Sequence, residues 1–160
     1  MKKLIVISLI VAFVVSCGGG NSDYAGKDDN KAINTDVPPD PVAPAYDPHR
    51  GEGKFKDVEV ANSLNTAMAT QGEKVYSVKC SGCHKLTDEK LVGPGWKGVS
   101  VRNKPEWVMN FITNPDAMID KDPKLQAQLE ICLVRMPNQS LSDDDARHLL
   151  EYMRKNDGVK

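Results

Sequence analysis

Five consecutive residues, Cys80-Ser81-Gly82-Cys83-His84, constrain this chain more than any other feature of it. Two thiols separated by two residues and followed at once by an imidazole form the C-x-x-C-H signature for covalent attachment of a c-type haem. The thiols can reach both vinyl groups on one edge of a porphyrin and become thioethers, while the histidine swings beneath the ring to give iron a nitrogen ligand. Taken alone, the pentapeptide also suits half of a zinc site or a dithiol redox motif. A zinc site wants a second ligand pair, and the spare soft ligand nearby in sequence is Cys132. A thioredoxin-like dithiol wants a β-α-β setting, whereas the residues before Cys80 carry a helical period.

That period runs through Leu64, Met68, Gly72, Val75 and Tyr76, one face of a helix leading into Cys80. A glycine inside a helix costs about 1 kcal/mol relative to alanine, so Gly72 marks a place where another backbone comes close. The expected visitor is the last helix. There Ser142 is an N-cap with Asp145 three residues on, and three acids fill the first turn, where the helix dipole favours them. Ala146, Leu149, Leu150 and Met153 form the inward stripe with Tyr152 at its border, and Asn156-Asp157-Gly158 is the stop. Two further helices are expected. One runs from Pro105 to about Thr113; the other runs between Pro123 and Arg135, capped by Asp122, with Leu125, Leu129 and Cys132 facing inward. The fold class is therefore all-α, with about four to five helices.

The ends of the chain read differently. Residues 1–16 have Lys2 and Lys3, an apolar run too short to span a bilayer, and Val14-Val15-Ser16 before Cys17. This is a secretory signal, and a cysteine directly after the small residue resembles the bacterial lipobox, which implies lipid on Cys17 and a place in the cell envelope, periplasmic and membrane-anchored. Residue 18 is Gly and not the aspartate that some bacteria read as a retention signal, which leans toward the outer membrane. Residues 17–60 have no sustained apolar period. They include Gly18-Gly19-Gly20 and five prolines between Pro38 and Pro48, and are expected to be a lipid-anchored flexible linker reaching about 35 Å. That leaves residues 61–158 as one small domain. His49, alone in the linker, takes no role. The formal net charge is −1, or −3 once Lys2 and Lys3 leave with the signal, which argues against nucleic acid as a partner.

Gly72 to Tyr76, the pentapeptide, Gly93-Pro94, Met136-Pro137 and the stretch from Leu141 to Tyr152 stand in the order of landmarks of a known family. From about residue 61 to 157 the chain resembles the class I monohaem cytochromes c. The resemblance implies one covalently bound haem c. It also implies a crossing of the first and last helices at Gly72, Tyr76 and Tyr152, and a hydrogen bond from His84 to the carbonyl of Pro94, fixing the ring's tautomer. For the second iron ligand, Met68 and Met153 lie on core stripes and Met109 lies inside a helix, leaving Met118 and Met136. Met136 is favoured because proline follows it and biases it away from helical angles, a capped helix begins soon after, and the family places its axial methionine in that setting. Met118 is the second choice and His148 a distant third. Trp96 or Trp107 is expected to donate its indole hydrogen to a haem propionate, a choice the sequence leaves open, with Arg102 a weaker candidate. Cys132 is read as a small buried hydrophobe.

Iron held by His84 and Met136 has no open position for a small-molecule substrate, so the expected role is a one-electron carrier and not an enzyme. Between residues 74 and 104 seven cations (Lys74, Lys79, Lys85, Lys90, Lys97, Arg102 and Lys104) face two carboxylates, Asp88 and Glu89, a local charge of +5. A redox partner with an acidic docking patch is implied. The organisation also resembles that of carriers feeding a periplasmic terminal reductase or oxidase. Two rival readings stand beside this one: a haem sensor or peroxidase-like catalyst with a labile sixth ligand, and a haem-free structural lipoprotein.

Overall fold

The computed structural model describes residues 46–160, and within them every regular element is helical. The helices are α1 (Thr66–Lys79), α2 (Val99–Arg102), α3 (Pro105–Thr113), α4 (Pro115–Ile119), α5 (Pro123–Cys132) and α6 (Asp143–Asn156). Six elements replace the four to five expected because two of them, α2 and α4, are about one turn long. Asn65 caps α1, accepting from the Met68 amide at 3.0 Å. Ser142 caps α6 through the expected reciprocal box, the Asp145 amide donating to its hydroxyl at 3.0 Å and the Asp145 carboxylate receiving the Ser142 amide. Pro105, Pro115 and Pro123 each open a helix, where a missing N–H costs nothing.

Helix α6 is the centre of the packing and meets α1, α2 and α3. Its stripe of Ala146, Leu149, Leu150 and Met153 is buried, together with Tyr152. Gly72 sits at the crossing with α1: a Cβ placed there would run into the His148 carbonyl and would come within 2.8 Å of the Tyr152 Cβ. The Tyr76 and Tyr152 rings meet at a tilt beside that contact, centroids 5.4 Å apart. Glu151, 1% exposed, accepts from Arg147, Arg154 and the Asn65 amide, and Arg154 in turn donates to the Ala61 carbonyl. These polar ties lock the approach to α1 onto α6.

Residues 46–60 correct the expected linker boundary. They form a strap laid across α3 and α4, with Phe55, Val58 and Val60 packed on the core. Asn110, wholly buried, receives the Phe55 amide at 2.9 Å and donates to the carbonyls of Phe55 and Arg50, while the Val58 amide reaches Glu106 at 3.0 Å. Gly51, at φ +75°, lies so close to Met118 that a side chain there would displace it. The strap has no helical or strand period because its backbone at Arg50, Phe55 and Val58 is satisfied by side chains of α3. The signal at 1–16, Cys17 and the linker up to residue 45 lie outside the described residues.

Candidate functional site

The last turn of α1 delivers the pentapeptide. The amides of Cys80 and Ser81 both donate to the Tyr76 carbonyl at 2.9 Å, and those of Cys83 and His84 donate to the Cys80 carbonyl at 3.0 and 2.9 Å. This tight turn brings the two thiols to one end of α1 and starts His84 back under it. The Tyr76 hydroxyl donates to the His84 carbonyl at 2.7 Å. Residues 85–96 then fold back: the Gly93 amide reaches the Cys83 carbonyl at 2.9 Å and the Trp96 amide the Lys85 carbonyl at 2.9 Å.

That return places the Pro94 carbonyl 2.8 Å from His84 Nδ1, the hydrogen bond that the resemblance implied. Nδ1 carries the proton, since a carbonyl can only accept, and Nε2 keeps its lone pair for a metal. Burial pushes the imidazole below the usual histidine range, opposed in part by the Pro94 bond, so the ring is neutral at neutral pH. A Cβ on Gly93 would strike the His84 ring, so the glycine is a requirement of this arrangement. Burial pushes the Cys80 thiol up to about 11, whereas Cys83 is exposed.

Beside the pentapeptide opens a cavity of about 430 Å³ lined by Cys83, His84, Pro94, Trp96 and Met136. A second of about 30 Å³ shares Cys83, His84, Trp96 and Met136 and adds Cys80. All six cofactor-binding residues expected from the sequence thus line one connected region. Its walls are mainly apolar, with Val108, Phe111, Ile112 and Leu125 among them. Arg102, Lys124 and Arg135 also line it, and among the described residues no carboxylate does. A haem is a flat apolar ring bearing two carboxylates, and an apolar slot with cations on its wall, a metal-ready imidazole and a thioether suits it. The zinc alternative finds no support, since among the described residues no three His, Cys, Asp or Glu side chains gather to hold an ion.

The structure also sorts the competing residues. Met118 is fully buried beside Gly51 and lines neither cavity, so the second choice for an iron ligand lies away from the site. Met153 does line the larger cavity, from α6. Trp107 spends its indole N–H on Asp122 at 2.9 Å. Trp96 also lines the cavity and makes no such bond among the described residues, so of the two it is the one available to a propionate. Arg102 lies on the wall, its guanidinium donating to the Lys97 carbonyl at 2.7 Å. His148 lines neither cavity. Cys132 departs from the expected core position and is half-buried on the cavity wall, with Gln128 Nε2 at 3.6 Å from its sulfur. Helix α5 ends there and not at Arg135, because Leu133 turns left-handed at φ 61°.

Lys124 and Gln128 were not foreseen. They flank Leu125 and Leu129 on the same face of α5, so a stripe read one residue wider would have found them.

The family model for cytochrome c matches residues 69–157. Among solved structures, cytochrome c from Rhodothermus marinus is 33% identical, with a TM-score of 0.63 over 66% of this chain and 90% of that one. An engineered form of that cytochrome is 32% identical, with the same coverage and a TM-score of 0.63. An engineered form bound to a carbene intermediate is 32% identical, also covers 66% of this chain and 90% of that one, and has a TM-score of 0.60. No curated protein matches. The model match spans more than half of the chain and includes the pentapeptide, Pro94 and Met136, so this chain belongs to the cytochrome c family as a monohaem class I c-type cytochrome with covalently bound haem c.

Proposed function

We propose that this cytochrome is a one-electron carrier in which His84 and Met136 would hold the haem iron. Haem-based electron transfer is the general chemistry of the family. The observation that carries the finer reading is the placement of a neutral, Pro94-anchored imidazole and the Met136 side chain on one cavity. When bound, the haem supplies a one-electron iron couple. The protein's own part is to hold it. Cys80 and Cys83 would hold one edge, His84 would donate Nε2, and Met136 would offer a soft neutral sulfur that favours the ferrous state. Arg102 and Lys124, on the cavity wall, would offset propionate charge, and the apolar walls would keep water away.

Optical spectra of the oxidised and reduced holoprotein test the ligand assignment. The native protein is expected to show a low-spin, methionine-ligated ferric form that Met136→Ala loses. A variant that kept it would move the assignment to Met153, the other methionine on the cavity.

Docking at a partner's acidic patch is supported by the excess of cations between residues 74 and 104, although Lys85 is already paired with Glu89 at 2.7 Å. Electron-transfer rates with an acidic partner should fall as ionic strength rises. Tethering to a bacterial membrane through lipid on Cys17, on the periplasmic or outer-membrane side, rests on the lipobox resemblance. Cys17→Ala should release the protein into the soluble fraction. A second reading, a sensor or peroxidase-like catalyst, is favoured by one feature: Met136 lies half-buried on a stretch between α5 and α6 that has no regular structure. Carbon monoxide decides it. The carrier reading expects the native ferrous protein not to bind it.

A further inference from the structure

The least secured wall of the haem cavity is α5. Leu125 is its one buried residue, yet Lys124, Leu125, Gln128, Leu129 and Cys132 all face the cavity, and the chain runs from its end to Met136 within four residues. Its far end is held from outside, Arg135 pairing with Asp116 and Asp120 and Lys90 donating to the Ile131 carbonyl at 3.0 Å, all of these groups exposed. Its N-terminal end has a buried anchor. Asp122, 0% exposed, caps the helix by accepting the Lys124 amide at 2.8 Å, and its other oxygen accepts both the Trp107 indole at 2.9 Å and the Tyr46 hydroxyl at 2.5 Å.

Tyr46 comes from the strap, outside the residues that the family model matches. It is the one group among these that is not contributed by the helical domain itself. A carboxylate buried with two side-chain donors is held in one orientation, while a carboxylate that loses one of them is free to pivot or to admit water. Because the same carboxylate fixes both the start of α5 and Trp107, another residue of the cavity wall, a change at Tyr46 is transmitted to that wall along two routes.

We propose that Tyr46 is a positioning residue for the haem crevice, its hydroxyl fixing the N-terminal end of α5 through Asp122 and so keeping Met136 on iron. The inference rests on the His84 and Met136 reading above. The strap, in this view, does more than cover α3: it couples the segment preceding the domain to the closure of the sixth position.

The test is an imidazole titration of the ferric holoprotein, followed optically, since imidazole competes with Met136 for iron. Tyr46→Phe keeps the ring and removes the hydroxyl. It is expected to raise imidazole affinity about three- to ten-fold, the part of one lost hydrogen bond to a buried charged group that reaches the cavity wall. Glu106→Ala loosens the strap at Val58, away from Asp122, and is expected to lower the thermal midpoint with imidazole affinity unchanged. Native affinity in Tyr46→Phe, or an equal rise in Glu106→Ala, overturns the proposal. Met136→Ala separates the two levels of inference: if it binds imidazole no better than the native protein, Met136 is not the ligand and the reading beneath the proposal fails instead.

Discussion

At His84 the ring is fixed by one backbone carbonyl and by one missing side chain, and each was legible in the sequence for a different reason. Pro94 could be placed because the resemblance supplies its partner, and Gly93 because it stands beside Pro94 among the family's landmarks. The structure adds that the close contact of Gly93 is with the imidazole itself. Gly93→Ala should therefore displace the ring from Pro94, lowering stability by about 1–3 kcal/mol, as overpacking in tight sites does. Thermal melts of the holoprotein would record the loss, and its Soret spectrum should shift in the same variant. The choice between Trp96 and Trp107 was not legible. It depends on Asp122, fifteen residues from Trp107, and on a tyrosine 76 residues from that aspartate. No local pattern encodes such a pairing.

Elements were readable wherever their ends carry their own chemistry. Serine with aspartate three residues on gave α6, and aspartate before proline gave α5, and both caps form as expected. Ser142→Ala should cost about 1 kcal/mol, seen as a lower thermal midpoint. Gly72→Ala should cost more, about 1–3 kcal/mol, because the added methyl meets the α6 backbone, which cannot move aside as a flexible side chain could. A double-mutant cycle between the two would come out nearly additive, since the cap and the crossing share no partner. The short helices escaped for a physical reason. Five residues of α4 are too few to show a period, and α2 is fastened from elsewhere, Asp157 accepting from the Gly98 and Ser100 amides. The strap escaped because nothing in residues 46–60 announces that Asn110 will serve their backbone.

At the scale of the whole molecule, two buried carboxylates join the residues before α1 to the helices, Asp122 through Tyr46 and Glu151 through Asn65 and its arginines. Burial alone would raise both carboxyls, but the hydrogen bonds outweigh it. Tyr46, Trp107 and the Lys124 amide hold Asp122 below its ordinary value, and Arg147, Arg154 and the Asn65 amide do the same for Glu151. A carboxyl depressed in the folded state binds fewer protons there than in the unfolded chain, so stability rises with pH through that range. The contribution is complete above the ordinary carboxylate range, near pH 4, and is lost as pH falls through the lower folded values. Thermal midpoints should accordingly be insensitive to these groups from about pH 5 to 8 and should fall steeply below about pH 4. Asp122→Asn removes one of the two titrations while keeping the size of the side chain. It should start from a lower midpoint at neutral pH and decline less steeply in acid, the two curves converging as the native carboxylate is protonated. If the acid limb of Asp122→Asn were as steep as that of the native protein, this carboxylate would not be the group whose protonation releases the strap, and Glu151 would be left as the acid-sensitive tie.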